Sequence, residues 1–384
     1  MSTNYPSVAE LMAEAKTRTG LLDFGGDDFV EGLEVLRRSL IEDVQFAPAD
    51  GAKAQALILR RLENRLRVEE WFRQNPDAEN AIIDRPISIC GLPRTGTTAL
   101  GNMLSLDPRL RSLRQWEQGH PTPPPVLATE MDDPRRIAHI AWIEEVLRND
   151  PEQAVMHLWD PDVSAEDTEV LGLQFHAQQM TMPVWSYHAW WRRGDLRETF
   201  RYHARICRLL QSSRPPNRWL FKAPHHKFHL DHVVEGYPDM RFVFTHRDPA
   251  KAIPSYASFV RSLFPADVAE RIGREKIGAE IHNHLLTGMK QAVAARDKLG
   301  PERFLDVHHT DFVSDYMGVL ERVYGFMDIE LNADMRAAFK AWHAKNREGA
   351  HGAHRYSAQE YGLDVKAIRR DYEFYIHRFN VACG

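Results

Sequence analysis

The residues with the clearest chemical promise lie in CGLPRTGTTAL, residues 90–100. A short apolar run enters this segment, Gly91 and Pro93 break it, and helical text leaves from Thr97 or Thr98. A strand–turn–helix corner of this kind aims free backbone N–H groups and the positive end of a helix dipole at one point, which is an anion site. Gly91 to Thr98 follows the nucleotide-loop spacing G-x-x-x-x-G-K-[ST] except that Thr97 stands where the lysine belongs. The lysine of kinases and ATPases neutralises the β- and γ-phosphates. A loop lacking it suits a single phosphate group, with Arg94 adding a forked cationic contact. The bland alternative is a tight corner with no ligand, but three threonines, an arginine and two glycines are an unusual set for packing alone.

Further groups with chemical capacity follow downstream. Lys222 ends the apolar run RWLFKAP, where an α/β sheet presents groups to a ligand. Arg247 ends MRFVFTHRD, and its guanidinium fork suits a phosphate. Its alternative is a structural pairing with Asp248. His225 and His229 share a helical face at i, i+4, as zinc ligands can, but no third ligand accompanies them. The run HLWDPDVSAEDTEVL gathers Asp160, Asp162, Glu166, Asp167 and Glu169. It could meet a cation, but Ser164 capping a helix with acids at its positive end is the simpler expectation. In MPVWSYHAWW, Trp185, Tyr187, Trp190 and Trp191 could line an apolar pocket or pack in the core.

Positioning these groups requires a sheet. Strand-like runs occur at RPISICGLP, at 218–224, at 240–248 and at 303–311, separated by helical text such as HKFHLDHVVEGYP and Ala266 to Lys298. Strands alternating with helices predict an α/β fold: a P-loop-like central parallel sheet flanked by helices. Residues 1–80 carry apolar positions at three- and four-residue spacing and read as a helical N-terminal extension. Roughly 125 residues separate the first two predicted strands, too many for one crossover, so 115–215 reads as a helical insertion on the acceptor side. The expectation is one domain over 1–384.

Composition bounds the rest. The 384 residues carry a net charge of −5, with 43% hydrophobic and 27% charged residues, as in ordinary globular chains. No basic block points to nucleic acid. No run of about 18 apolar residues predicts a membrane span. The start MSTNYPSVAE has no signal-peptide core, and Cys90, Cys207 and Cys383 are scattered without ligand spacing, so the cytoplasm is the expected address.

With both motifs in view, the chain resembles the sulfotransferase superfamily. PRTGTT is similar to the loop that holds the 5′-phosphosulfate end of 3′-phosphoadenosine 5′-phosphosulfate, and FVFTHRDPAKAIPSY supplies an arginine and, eight positions on, a serine for the 3′-phosphate. The likeness covers roughly 86–120 and 218–360. It implies in-line transfer of a sulfuryl group to a hydroxyl or amine of a small organic acceptor, leaving 3′-phosphoadenosine 5′-phosphate, with no metal. Arg94, Thr95, Gly96, Thr97 and Thr98 would hold the 5′ end, and Arg247 and Ser255 the 3′-phosphate. A looser likeness in REGAHGAHRYSAQEYGLD adds His354, Arg355 and Tyr356 as groups closing over the donor. The heparan and protein-tyrosine sulfotransferases carry a glutamate soon after the loop helix, which implies Glu117 as base. His226 or His225 is the histidine alternative. Lys222 would meet the transferring group. A small-molecule kinase, or a nucleotide-binding member of the fold without catalysis, stands as the rival reading. Oligomeric state stays open, a homo-oligomer included.

Overall fold

The computed structural model of the chain describes residues 5–44, 48–149, 159–214, 217–346 and 356–384. Five parallel strands form one sheet: β1 Ile87–Gly91, β2 Leu110–Ser112, β3 Arg218–Lys222, β4 Arg241–His246 and β5 Phe304–His308. Their order is β2-β3-β1-β4-β5, with β1 at the centre. Register sets Ile89 beside Lys222 and Gly91 beside Thr245. From β1 the chain goes first to the edge strand β2, returns to β3 beside β1, and then crosses to β4 and β5 on the other side. The carboxyl end of β1 is therefore the topological switch point, where open α/β sheets bind ligands.

Strand alternation divides the core. Ile87, Ile89, Leu220, Val243 and Val307 face a cluster shared with helix α4 (Thr97–Leu104) and with Phe339 of the helix Ala333–Lys345. Cys90, Trp219, Phe221, Phe242 and Phe244 face the other side, against Ile277, Ile281, Leu285 and Met289 of the helix Arg274–Leu299. Both faces are covered, which is why β1 reads as an apolar run and is buried at all five positions.

The helical N-terminal region is present as α1 (Val8–Thr19), α2 (Val30–Ser39) and α3 (Pro48–Gln74). Ser7 and Glu10 form a capping box at the start of α1, and Gly20, at φ +69°, ends it. Apolar residues of all three helices, such as Leu11, Leu33 and Leu62, join the same core as Phe175, Tyr187 and Trp191. On its polar side α3 sends Arg60 and Arg61 to Glu169, at 2.7 and 3.1 Å. The N-terminal helices thus hold the segment that follows residue 159.

β2 is a strand the sequence does not suggest. Its core is Leu-Arg-Ser, short, without β-branched residues and charged at its centre. Arg111 is nevertheless buried, lying 4.9 Å over the Trp219 ring with Glu117 as its counter-ion. Among the described residues no helix is long and apolar enough to cross a membrane. Cys90, Cys207 and Cys383 are free thiols.

Candidate active site

The loop between β1 and α4 takes the predicted strand–turn–helix form, and its backbone explains its composition. Gly91 has φ +132°, and a Cβ there would lie 2.4 Å from the Thr245 carbonyl oxygen, so only glycine fits beside β4. Gly96 has φ +90° and caps α4 without a side-chain bond, which leaves the first-turn N–H groups open. Arg94 occupies the left-handed region at φ +63°. Thr95 turns inward: its Oγ1 donates to the Leu92 carbonyl at 2.7 Å and lies 2.6 Å from Thr245 Oγ1. Its hydroxyl is thereby committed to the fold, and Thr95 does not line the cavity. Gly96, Thr97 and Thr98 do.

That cavity, of about 410 Å³, is where the predicted groups converge: Arg94 from the loop, Lys222 from the end of β3 and Arg247 from the end of β4. Arg247 Nη1 donates to the Arg94 carbonyl at 2.7 Å, and Arg94 Nε donates to Ser255 Oγ at 3.3 Å. Ser255, 4% exposed, stands behind Arg94 and does not line the cavity itself. Asp248 is not Arg247's partner, since it caps the helix Pro249–Leu263 through the Ala250 N–H and pairs with Arg369 at 2.6 Å. Among the described residues neither Arg94 nor Arg247 has a carboxylate partner. Burial, and after it the nearby Arg247 charge, pull the Arg94 pKa down, while Tyr356 and Tyr256 work the other way. Two guanidinium groups short of negative charge beside a helix N-terminus make a site for an anion bearing several charges. His354 and Arg355 lie outside the described residues.

Lys222 is 4% exposed, and its Nζ donates to Glu166 Oε1 at 3.0 Å. Gly101 of α4 gives its stem room, since a Cβ there would lie 3.1 Å from Lys222 Cγ. Burial alone would raise the Glu166 pKa, but Lys222 and His225 outweigh it and hold the carboxyl below its ordinary range. Its side chain remains 41% exposed. Glu166 borders both this cavity and a second one.

Glu117 is placed differently from expectation. It is fully buried, with Arg111 Nη1 and Nη2 at 2.9 and 2.5 Å and the Arg114 N–H at 2.8 Å. Every strong bond it makes is internal, at the start of the short helix α5 (Gln115–Gln118), and it borders none of the cavities described here. Its surroundings make it the counter-ion of Arg111. His226 is also enclosed: Nδ1 lies 2.8 Å from Ser88 Oγ and Nε2 2.9 Å from Asp167 Oδ2. The expected histidine base therefore does not meet the cavity.

The acidic run is a correction too. The Ser164 hydroxyl caps nothing, and the helix Thr168–Gly172 begins at Asp167 without a side-chain cap. Among the described residues Asp160 accepts only the Asp162 N–H, and the other four acids reach distant basic side chains. Glu166 meets Lys222, Glu169 meets Arg60 and Arg61, and Asp162 meets Arg136 at 2.5 Å. Asp167 is ringed by His203, His225 and His226 at 3.0, 2.7 and 2.9 Å. Donor atoms of Asp167, His225 and His226 lie within 4.8 Å of one another, the one grouping of metal-ligand type among the described residues. Imidazole nitrogens around a carboxylate account for that spacing. His229 is not part of it and packs against Trp191 and His232. Tyr187 and Trp191 are core residues, bonded to the Phe175 and His176 carbonyls, and line no cavity.

Sequence reasoning missed Tyr256 and Phe259, together with Trp142 of α6 (Pro134–Asn149), which lines the second cavity, and it named Glu166 only within the acidic run and not as the partner of Lys222.

Comparison with known proteins agrees with this geometry. The family model for sulfotransferases matches residues 86–333. Among curated proteins no relative matches the chain. Among solved structures, the sulfotransferase STF9 from Mycobacterium avium superposes with a TM-score of 0.90 at 27% identity, covering 100% of this chain and 99% of that one. The sulfotransferase STF1 from Mycobacterium tuberculosis H37Rv gives 0.84 at 27% identity, covering 96% and 99%.

Proposed function

Because this chain belongs to the sulfotransferase family, and so moves sulfuryl groups, we propose that it takes them from 3′-phosphoadenosine 5′-phosphosulfate and delivers them to a hydroxyl of a small organic acceptor. The observation that carries the donor assignment is the convergence of Arg94 and Arg247, linked at 2.7 Å and without carboxylate partners among the described residues, on the open N-terminus of α4. The N–H groups and hydroxyls of Gly96, Thr97 and Thr98 hold the 5′ end. The Arg247 fork, with Ser255 behind Arg94, holds the 3′-phosphate. Tyr356, close enough to influence Arg94, belongs to the same end.

Transfer follows the logic of phosphoryl transfer, in which alignment and electrostatic stabilisation supply most of the acceleration. The acceptor oxygen attacks sulfur while the bond from sulfur to the phosphate oxygen breaks. Lys222 meets the charge growing on that leaving oxygen. The acceptor's proton passes to Glu166, the accessible carboxylate within reach of the same point. The products are the sulfated acceptor and 3′-phosphoadenosine 5′-phosphate. These steps draw on the chain's own cations. The kinase alternative finds no support in the family or the solved relatives, and the loop offers no lysine for a triphosphate.

Calorimetry with 3′-phosphoadenosine 5′-phosphate tests the reading. Saturable one-to-one binding is expected, weakened when the 3′-phosphate is removed. No heat of binding, or equal affinity for adenosine 5′-phosphate, would remove the donor assignment.

A further inference from the structure

The Lys222–Glu166 pair stands between two chambers. Beyond it the donor cavity meets a second cavity of about 350 Å³, which shares Glu166, Lys222, Tyr256 and Phe259 with the first. A third, shallower hollow shares Gln115, His139 and Trp142 with the second and continues past Trp116 and Pro134. A molecule in the second chamber therefore presents one end to the reacting groups and the other to the outside.

The walls specify its chemistry. Leu57 comes from α3, Trp142 and Ile143 from α6, and Trp159, Val163 and Met180 from the segment beyond. The Trp142 ring lies 5.4 Å from that of Trp159 at 57°, and His139 stacks on Trp142 at 5.2 Å and 21°. Trp142 is 46% exposed. A tryptophan left this open on a helix serves an apolar ligand better than it serves packing.

Most of the charge on the inner walls is already paired. Glu169 is held by Arg60 and Arg61, and Glu166 by Lys222. Gln178 Nε2 is engaged with His284 Nε2 at 2.9 Å. Asp160 borders the chamber as an exposed carboxylate that accepts the Asp162 N–H. An anionic acceptor drawn inside would lose its hydration and find no free cation among the described residues, and an ammonium would have only the solvent-exposed Asp160, where pairing is weak.

We infer that the acceptor is an uncharged, ring-bearing, largely apolar alcohol or phenol, seated between Trp142, Trp159 and Phe259 with its single reactive hydroxyl at Glu166. The inference rests on the donor reading above for the chemistry, and on the second chamber for the acceptor.

The test uses the full chain with radiolabelled 3′-phosphoadenosine 5′-phosphosulfate and five acceptors: 2-naphthol, 1-dodecanol, tyramine, 4-hydroxybenzoate and glucose. 2-Naphthol is expected to give a kcat/KM at least about tenfold above the charged phenols and the sugar. Trp142→Ala should raise its KM by roughly tenfold, with the affinity for 3′-phosphoadenosine 5′-phosphate unchanged. Quenching of tryptophan fluorescence by 2-naphthol reads binding separately from turnover. If the nucleotide binds but a charged phenol or glucose is preferred, or 2-naphthol neither reacts nor quenches, the acceptor class is overturned while the donor reading survives. Preference for dodecanol would overturn the ring-bearing part. Loss of nucleotide binding in the parent chain would instead count against the donor reading.

Discussion

Arg247 donates from Nη1 to the main-chain carbonyl of Arg94 over 2.7 Å, and Arg94 reaches on to Ser255. The end of β4 and the anion loop are thus one piece, and in the proposed donor complex Arg247 fixes the loop as well as meeting a phosphate. Arg247→Ala is expected to weaken binding of 3′-phosphoadenosine 5′-phosphate by about 2–5 kcal/mol, the usual cost of removing one partner of a buried charge-assisted contact. Arg247→Lys should fall between, because lysine keeps the charge but lacks the fork that serves two acceptors. Ser255→Ala should cost less than either. Calorimetry ranks all three, and an unchanged Arg247→Ala would withdraw the 3′-phosphate assignment.

The two glutamates offer a sharp contrast. Glu166→Gln should lower kcat by about 10²–10⁴-fold, the range for loss of a general base, with nucleotide affinity nearly intact. Glu117→Gln should instead act on the fold. It strands the buried Arg111, and breaking such a pair costs about 3–5 kcal/mol. Urea denaturation alongside single-turnover rates separates the outcomes. A stable Glu117→Gln protein with slow chemistry would return the base role to Glu117.

Gly101 tests whether the lysine's placement matters. A methyl at this position meets the Lys222 stem at 3.1 Å, while alanine in a helix interior is favoured over glycine by about 0.5–1 kcal/mol. Gly101→Ala should therefore leave the melting temperature near or above that of the parent and slow turnover by roughly tenfold or more, as small misplacements at a reacting centre do. Parent-like kcat would show that Lys222 tolerates displacement.

The imidazole ring around Asp167 predicts a pH signature in stability. Burial pulls the His203 pKa down, but Cys207 and Asp167 more than reverse this and raise it to about 10. A group whose folded pKa exceeds its unfolded value, near 6.5, stabilises fully below that unfolded value and loses its contribution as pH rises towards 10. Asp167 behaves oppositely. Burial pushes it up, His226, His225 and His203 overcome that, and its contribution is present above the ordinary carboxylate range and fades on acidification. Urea midpoints from pH 6 to 9 should decline on the alkaline side by at most about 1.4 kcal/mol per pH unit for this one proton. Asp167→Asn should flatten that decline. An equally steep decline in the variant would place the titrating group elsewhere.

What was legible in the sequence was whatever neighbouring residues determine by themselves. Gly91 and Gly96 break a strand into a helix, Thr97 replaces the loop lysine, and Arg247 ends an apolar run, and all three can be read in place. The acceptor side was not legible, because its meaning depends on partners far along the chain. Glu166 takes its role from Lys222, Asp167 from histidines at 203, 225 and 226, and Glu169 from Arg60 and Arg61. An isolated acidic run resembles a helix start more than four separate ion pairs. Glu117 faces inward, and its distance from the loop helix says nothing of which way it faces. The signal that could have warned of this was Arg111, six residues earlier, a cation in apolar surroundings that needs a counter-ion. β2 escaped notice for the same reason: its arginine is buried only because that counter-ion exists.

The central position of β1 carries a consequence for biogenesis. Both of its neighbours, β3 and β4, lie downstream of the long insertion. While the ribosome is still making the insertion, this apolar strand has no partner at either edge, and the loop that follows it has nothing to lean on. Sheet closure must wait for residues 218–246, and until then both edges of β1 stay open to pairing with other chains.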